Sequence, residues 1–192
     1  MAAISVSKKS ISELTESGIK DSKLLSPKKR QSLYGHIINI AESICICRIG
    51  IEDIDFHVFK NNLNLLEAEA MAITIGNMKS DKTYVDSCDV NPSRYQRTIR
   101  GFLGQHDTRI VSMHHADRLN VVVSGASIIA KVIRDSEISK IRVQYGDIGS
   151  GYPSDKKTIR FVKDWYSQKN EIPPFARKSW KPAQLIVSGT NP

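Results

Sequence analysis

Three short stretches of the chain combine residue types that can do chemistry. In "TYVDSCDVN", residues 83–91, a β-prone run stops at Asp86 and a polar turn follows. In "IVSMHHAD", residues 110–117, a second β-prone run leads into His114, His115 and then Asp117. In "GSGYPSD", residues 149–155, two glycines flank Ser150, and Pro153 stiffens the turn after Tyr152. If the two β runs are neighbours in one sheet, Asp86 and Asp117 converge, and oxygen-only ligation suits Mg²⁺ or Mn²⁺. The same spacing also fits a turn-starting Asp86 and a surface acid at 117. The Tyr152 ring in a rigid loop can stack on a sugar or base; the loop also fits a plain helix entry capped by Ser154. In a fourth stretch, "IKDSKLLSPKKR" at 19–30, Lys20 and Lys23 stand just before a helix start, a place that suits phosphate contact or simple solvation.

The elements that must position these groups alternate. Strands are predicted at "AAISV" (2–6), "ICICRIGI" (44–51), "TYVDS" (83–87) and "TRIVSM" (108–113). Helices are predicted over 7–18, closed by Gly18, and over 25–43, with Ser26 as cap and Pro27 at the first helical position. Further helices are predicted over 62–79, with Leu63, Leu66, Ala70 and Ile73 at helical spacing, and over 91–105, with Tyr95, Ile99 and Phe102 facing inward. A long helix over 124–146 and one over 154–170 follow, and the paired prolines of "EIPPFARKSWKP" predict an extended segment. Strands alternating with helices predict an α/β architecture. The division expected is a core over 1–145 and a C-terminal loop and helical extension over 146–192.

The 192 residues carry a net charge of +8, which points to polyanionic partners. The charge is clustered, in "SPKKR", "SRYQRTIR", "DKKTIRFVK" and "ARKSWK", and the last three clusters place Tyr95, Phe161 and Trp180 among the cations. Three cysteines, Cys45, Cys47 and Cys88, form no C-x-x-C pair, so structural zinc is not indicated and packing roles in a reducing compartment are expected. No apolar run approaches the ~20 residues of a membrane span, so a cytoplasmic protein without membrane contact is expected.

Seven segments together carry a resemblance. "KDSKLLSPKKR", "LNLLEAEAM", "YVDSCDVN", "HHAD", "SGASIIAKVIRD", "YGDIGSGYPSD" and "RKSW" resemble, in order and spacing, the archaeal form of ribonuclease HII, over about residues 2–183. The resemblance implies a ribonuclease H-like mixed sheet flanked by helices, with a C-terminal helical extension. It implies an endonuclease acting on the RNA strand of RNA–DNA hybrids and on ribonucleotides embedded in duplex DNA. The cut is expected 5′ of the ribonucleotide, with a pair of Mg²⁺ or Mn²⁺ ions. By the same resemblance Asp86 and Asp117 are catalytic metal ligands, Lys23 contacts phosphate, and Tyr152 packs on the ribose at the junction. A monomer is implied. Some relatives contact a replication clamp through a C-terminal peptide, and "AQLIVSGTNP" has no aromatic pair of that kind.

Two departures stand beside the resemblance. His115 occupies the place of a family lysine, which removes a fixed positive charge at pH 7. The family's Asp-Glu-Ala-Gly-Arg-Gly segment, with two further acids, is not among the 192 residues; "MAAISV" matches the strand that follows it. One expectation is a natural start upstream of Met1. A second is a short form that binds hybrids without cutting them. A third is a nuclease whose further carboxylate is Glu67 or Asp135. With Asp86 and Asp117 alone, the 192-residue chain is expected to be poorly active or inactive.

Overall fold

The computed structural model describes residues 1–19 and 22–190, except for the side chain of Lys23. Strand β1 (Ala2–Ser5) is followed by helices α1 (Ser10–Glu16) and α2 (Pro27–Ile40) and by strand β2 (Ser43–Ile46). Helices α3 (Ile51–Phe59) and α4 (Leu63–Gly76) lead to β3 (Lys82–Asp86), α5 (Pro92–Leu103) and β4 (Arg109–Met113). The chain continues through α6 (Ala116–Leu119), α7 (Val121–Tyr145), α8 (Lys156–Lys169) and α9 (Lys181–Val187). β1 pairs antiparallel with β2, Ala3 opposite Cys45. β3 pairs parallel with β4, Val85 opposite Ser112 and Asp86 opposite Met113. The described strands thus pair as two two-stranded sheets, one antiparallel and one parallel, where the resemblance implies one mixed sheet.

Local chemistry explains most boundaries. Pro27 opens α2, and the Ser26 hydroxyl accepts from the backbone N–H of Lys29 at 3.2 Å. Pro92 opens α5 in the same way, with the Asn91 side chain accepting from Arg94 N–H at 3.0 Å. Gly18, just after α1, has φ +79°, which a glycine adopts without strain.

Some expectations fail for physical reasons. The strand expected over 44–51 stops at Ile46, because Glu52 and Asp53 favour the start of a helix and Gly50 serves as its N-cap. Phe102 and Ile73 are exposed, at 46% and 53%. The face of α4 turned to the core is instead Ala68, Ala72 and Ile75, the two alanines small enough for close approach to β3 and α5. Residues 171–180 form turns, and α9 follows with Pro182 in its first turn, a position where proline is tolerated. Cys88 is exposed, so packing describes only the half-buried Cys45 and Cys47.

The chain forms two compact units. The first comprises residues 1–48 and 64–134, the second residues 49–63 and 135–192. The first unit has two apolar clusters. One gathers Ile4, Leu14, Leu33, Ile37, Ile128 and Ile129, where β1, α1, α2 and α7 meet. The other gathers Ala68, Val85, Tyr95, Ile99 and Ile110 beneath β3 and β4. The second unit is built on Val162, Ile172, Ala176, Ala183 and Ile186. Among the described residues, no helix is long and apolar enough to cross a membrane.

Candidate active site

Asp86 is the last residue of β3, and its side chain is exposed where the alternation of the strand turns it away from buried Val85. β4 runs parallel beside it and ends one residue before His114, so both strands deliver their following loops to the same end of the pair. The loops then touch. Asp86 Oδ1 accepts from the backbone N–H of Ala116 at 2.9 Å, and Ser87 N–H donates to the Met113 carbonyl at 2.9 Å. His114 Nε2 lies 3.3 Å from the Val90 carbonyl. Asp117 follows Ala116 directly and is 4% exposed. The two acids that the sequence picked out are thus brought to one end of one parallel pair.

The turn after Asp86 is itself braced. Asp89 is buried and receives Arg94 through two bonds, Nε at 2.9 Å and a terminal nitrogen at 2.6 Å, plus the Asn91 N–H at 2.7 Å. The Arg94 guanidinium and the Asn91 N–H hold the Asp89 carboxyl below the usual carboxylate range. On the other side, Ser124 Oγ of α7 donates to the Asp117 carbonyl at 2.5 Å, and Asn120 Oδ1 caps the start of α7 by accepting from Val122 N–H at 3.0 Å. His115, at the family lysine's place, is exposed and has φ +55°.

Glu67 lies near this end. Although Cys88 is exposed as a residue, desolvation of its thiol, then a hydrogen bond with Glu67, pushes it up to about 12. Burial, then the bond to Cys88 and the charges of Glu67 and Asp86, raises the Tyr95 phenol. Carboxylate oxygens fit a hard divalent cation. Yet among the described residues no group of three or more His, Cys, Asp or Glu is placed to hold a metal ion. Two carboxylates fit as part of a donor set and do not complete one.

Tyr152 stands in the second unit, 37% exposed, on the loop between α7 and α8. Its supports were not evident from the sequence. The helix cap is Asp155, not Ser154: Asp155 Oδ1 accepts from Lys157 N–H at 2.9 Å, and Oδ2 accepts from Ser150 N–H at 2.6 Å. Lys20 lies outside the described residues; Lys23 sits in a 3₁₀ turn, Ser22–Leu24, with its side chain outside them. A second buried acid that sequence reasoning missed, Asp55 of α3, accepts from the backbone N–H groups of Lys178 and Ser179 at 2.8 and 3.0 Å, and so fixes the "RKSW" turn.

Comparison with known proteins places the chain in a family. The family model for ribonuclease HII matches residues 1–183. Ribonuclease HII of Cenarchaeum symbiosum is 43% identical over 189 residues, covering 98% of this chain and 90% of the relative. The crystal structure of the ribonuclease H2 from Pyrococcus horikoshii superposes with a TM-score of 0.87 at 36% identity, over 96% of this chain and 87% of that one. The ribonuclease HII in a PCNA complex from Archaeoglobus fulgidus gives 0.83 at 34% identity, over 96% and 86%. The fold is thus the ribonuclease H-like fold of those structures, and the chain belongs to the ribonuclease HII family.

Proposed function

We propose that the protein hydrolyses the RNA strand of RNA–DNA hybrids and cuts 5′ of a ribonucleotide embedded in duplex DNA. Membership of the ribonuclease HII family supports the substrate class. The observation that supports the site assignment is the bond from Ala116 N–H to Asp86 Oδ1, which ties the end of β3 to the residue before Asp117. In this reading both carboxylates hold divalent cations, Mg²⁺ or Mn²⁺, in a two-ion site. Such a pair, when bound, supplies an activated water and neutralises charge on the leaving oxygen. The chain's own residues do the rest. The Ala116 N–H fixes one oxygen of Asp86 and leaves the other for a cation. Lys23 and Lys20 contact phosphate, the basic clusters track the backbone, and Tyr152 rests on the ribose at the junction, where RNA differs from DNA by one hydroxyl. The protein works as a monomer in the cytoplasm.

One experiment tests this reading against its alternative, a chain that holds hybrids without cutting them. The 192-residue chain is given a labelled duplex with a single ribonucleotide and Mg²⁺ or Mn²⁺, beside an Asp86→Asn control. Cleavage 5′ of the ribonucleotide that the control abolishes supports the nuclease. Retained binding without cleavage supports the holding role. Cleavage that survives Asp86→Asn overturns the assignment of Asp86.

A further inference from the structure

We infer that the buried Thr158 hydroxyl, acting with Asp155 and Arg142, positions the loop that carries Tyr152 and thereby sets discrimination for ribose. The inference rests on the reading that Tyr152 faces the ribose. Its grounds are geometric and lie within the second unit. Thr158, on the first turn of α8, is 2% exposed. Its hydroxyl donates to the Ile148 carbonyl at 3.0 Å and accepts from Gly151 N–H at 3.0 Å. Asp155 Oδ2 lies 3.2 Å from the same oxygen and also takes the Ser150 N–H. Arg142 of α7 closes the ring from outside, its Nε and a terminal nitrogen donating to the Gly149 carbonyl at 3.1 and 2.6 Å. Four successive residues, Ile148 to Gly151, are therefore held through their backbone by three side chains.

The loop leaves no slack. Gly149 and Gly151 have φ +73° and +72°. A β-carbon on Gly149 would lie 2.7 Å from Asp155 Oδ2 and 2.8 Å from both the Thr158 nitrogen and hydroxyl. Backbone pressed this closely onto the cap leaves Tyr152, the next residue, no independent freedom at its amide end. A second tie follows it, the Asp155 N–H donating to the Tyr152 carbonyl at 3.1 Å. A ring that reads a single hydroxyl gains selectivity when its anchor is fixed before binding, because less ordering remains to be done on contact. Thr158 touches no substrate in this account; it is a positioning residue.

The test is a ratio of affinities, measured by fluorescence anisotropy without divalent cations. One probe is a labelled duplex with a single embedded ribonucleotide; the other is the same duplex in DNA throughout. Wild type, Tyr152→Ala, Thr158→Val, Thr158→Ser and Arg142→Ala are compared as full chains, each checked for a cooperative melt. Thr158→Val is expected to lower the ratio toward that of Tyr152→Ala, by about fivefold, the equivalent of one modest hydrogen bond. Its all-DNA affinity is expected to stay near wild type, and Thr158→Ser, which keeps the hydroxyl, to restore the ratio. Arg142→Ala removes an exposed side chain and should lower the ratio in the same direction even where Thr158→Val fails to fold. A ratio that falls in Tyr152→Ala and holds in both Thr158→Val and Arg142→Ala overturns the positioning role alone. A ratio unchanged in Tyr152→Ala overturns the reading of Tyr152 and the positioning role with it.

Discussion

Asp86 Oδ1 accepts the backbone N–H of Ala116 at 2.9 Å, so the acid at the end of β3 is oriented by the residue that precedes Asp117. A carboxylate held by a backbone donor keeps its direction when neighbouring side chains change. On the proposed reading both acids serve one metal site, and removing either should cost the same property. Asp86→Asn and Asp117→Asn are each expected to weaken Mn²⁺ binding by at least about tenfold, the loss typical when a metal's supporting groups are removed. Titration calorimetry with Mn²⁺ reads this directly. Equal affinity in the wild type and both variants would detach the acids from any metal role.

The packing of α7 on β1 gives a sharper test of the first unit. Gly125 faces Ile4, and a β-carbon there would lie 2.9 Å from Ile4 Cδ1. Alanine gains about 1 kcal/mol of helix propensity over glycine, but overpacking a core typically costs about 1–3 kcal/mol. Gly125→Ala should therefore be neutral to destabilising by about 2 kcal/mol. Ile4→Val removes the offending atom and alone should cost about 1 kcal/mol. The double variant should be more stable than the sum of the two changes predicts, by about 1 kcal/mol. Denaturant unfolding of all four proteins gives that coupling; strict additivity would mean that the contact is not formed.

Asp55 holds the "RKSW" turn through two backbone N–H groups, at 2.8 and 3.0 Å, and is itself 7% exposed. Asp55→Ala leaves two amides to find water or none. Bonds to a charged acceptor contribute about 1.5–3 kcal/mol each, and unmet buried donors add to the cost. The second unit should lose about 2–4 kcal/mol, seen as an earlier urea transition and as faster proteolysis at the turn after Arg177 or Lys178. Unchanged protease resistance would show that the turn stands without the acid.

Much of this was legible in the sequence, and what was missed has identifiable physical causes. Pro27 and Pro92 with their polar caps, the β run ending at Asp86, and the one ending before His114 are local signals, and the fold honours each. That Asp86 and Asp117 both follow strands of one parallel pair needed only the adjacency of those strands. The missed features depend on partners remote in sequence or on close choices within a turn. Asp55 meets residues 178 and 179 across more than a hundred positions, and no local pattern announces that. Asp155 outcompetes Ser154 as the cap because its second oxygen also takes the Ser150 N–H, a gain visible only once the loop is folded back. Ile73 fits a helical stripe on α4 and Phe102 one on α5, yet the core takes Ala68, Ala72 and Ile75 from the first and Tyr95 and Ile99 from the second and leaves both outside.

Acid titration offers the last test, since it isolates one carboxylate. The backbone N–H groups of Ser150 and Lys157 hold the Asp155 carboxyl well below the usual carboxylate range. A depressed folded pKa means that the charged form stabilises the fold. That contribution is complete above the unfolded value, about pH 4, and is lost as pH falls through the lower folded value. Asp155→Asn lacks the contribution at every pH. The melting temperature of wild type should therefore exceed that of Asp155→Asn by a constant margin above about pH 5, and the margin should shrink steadily on acidification. Asp89 and Asp147 are also held low, by Arg94 and Lys157. Asp89 is common to both proteins and cancels in the difference. Asp147 shares Lys157 with the cap region, so an Asp147→Asn background serves as control: the margin must survive in it. A margin independent of pH down to the acid transition would show that the Asp155 charge does not hold the loop, and that the neutral side chain's hydrogen bonds are sufficient.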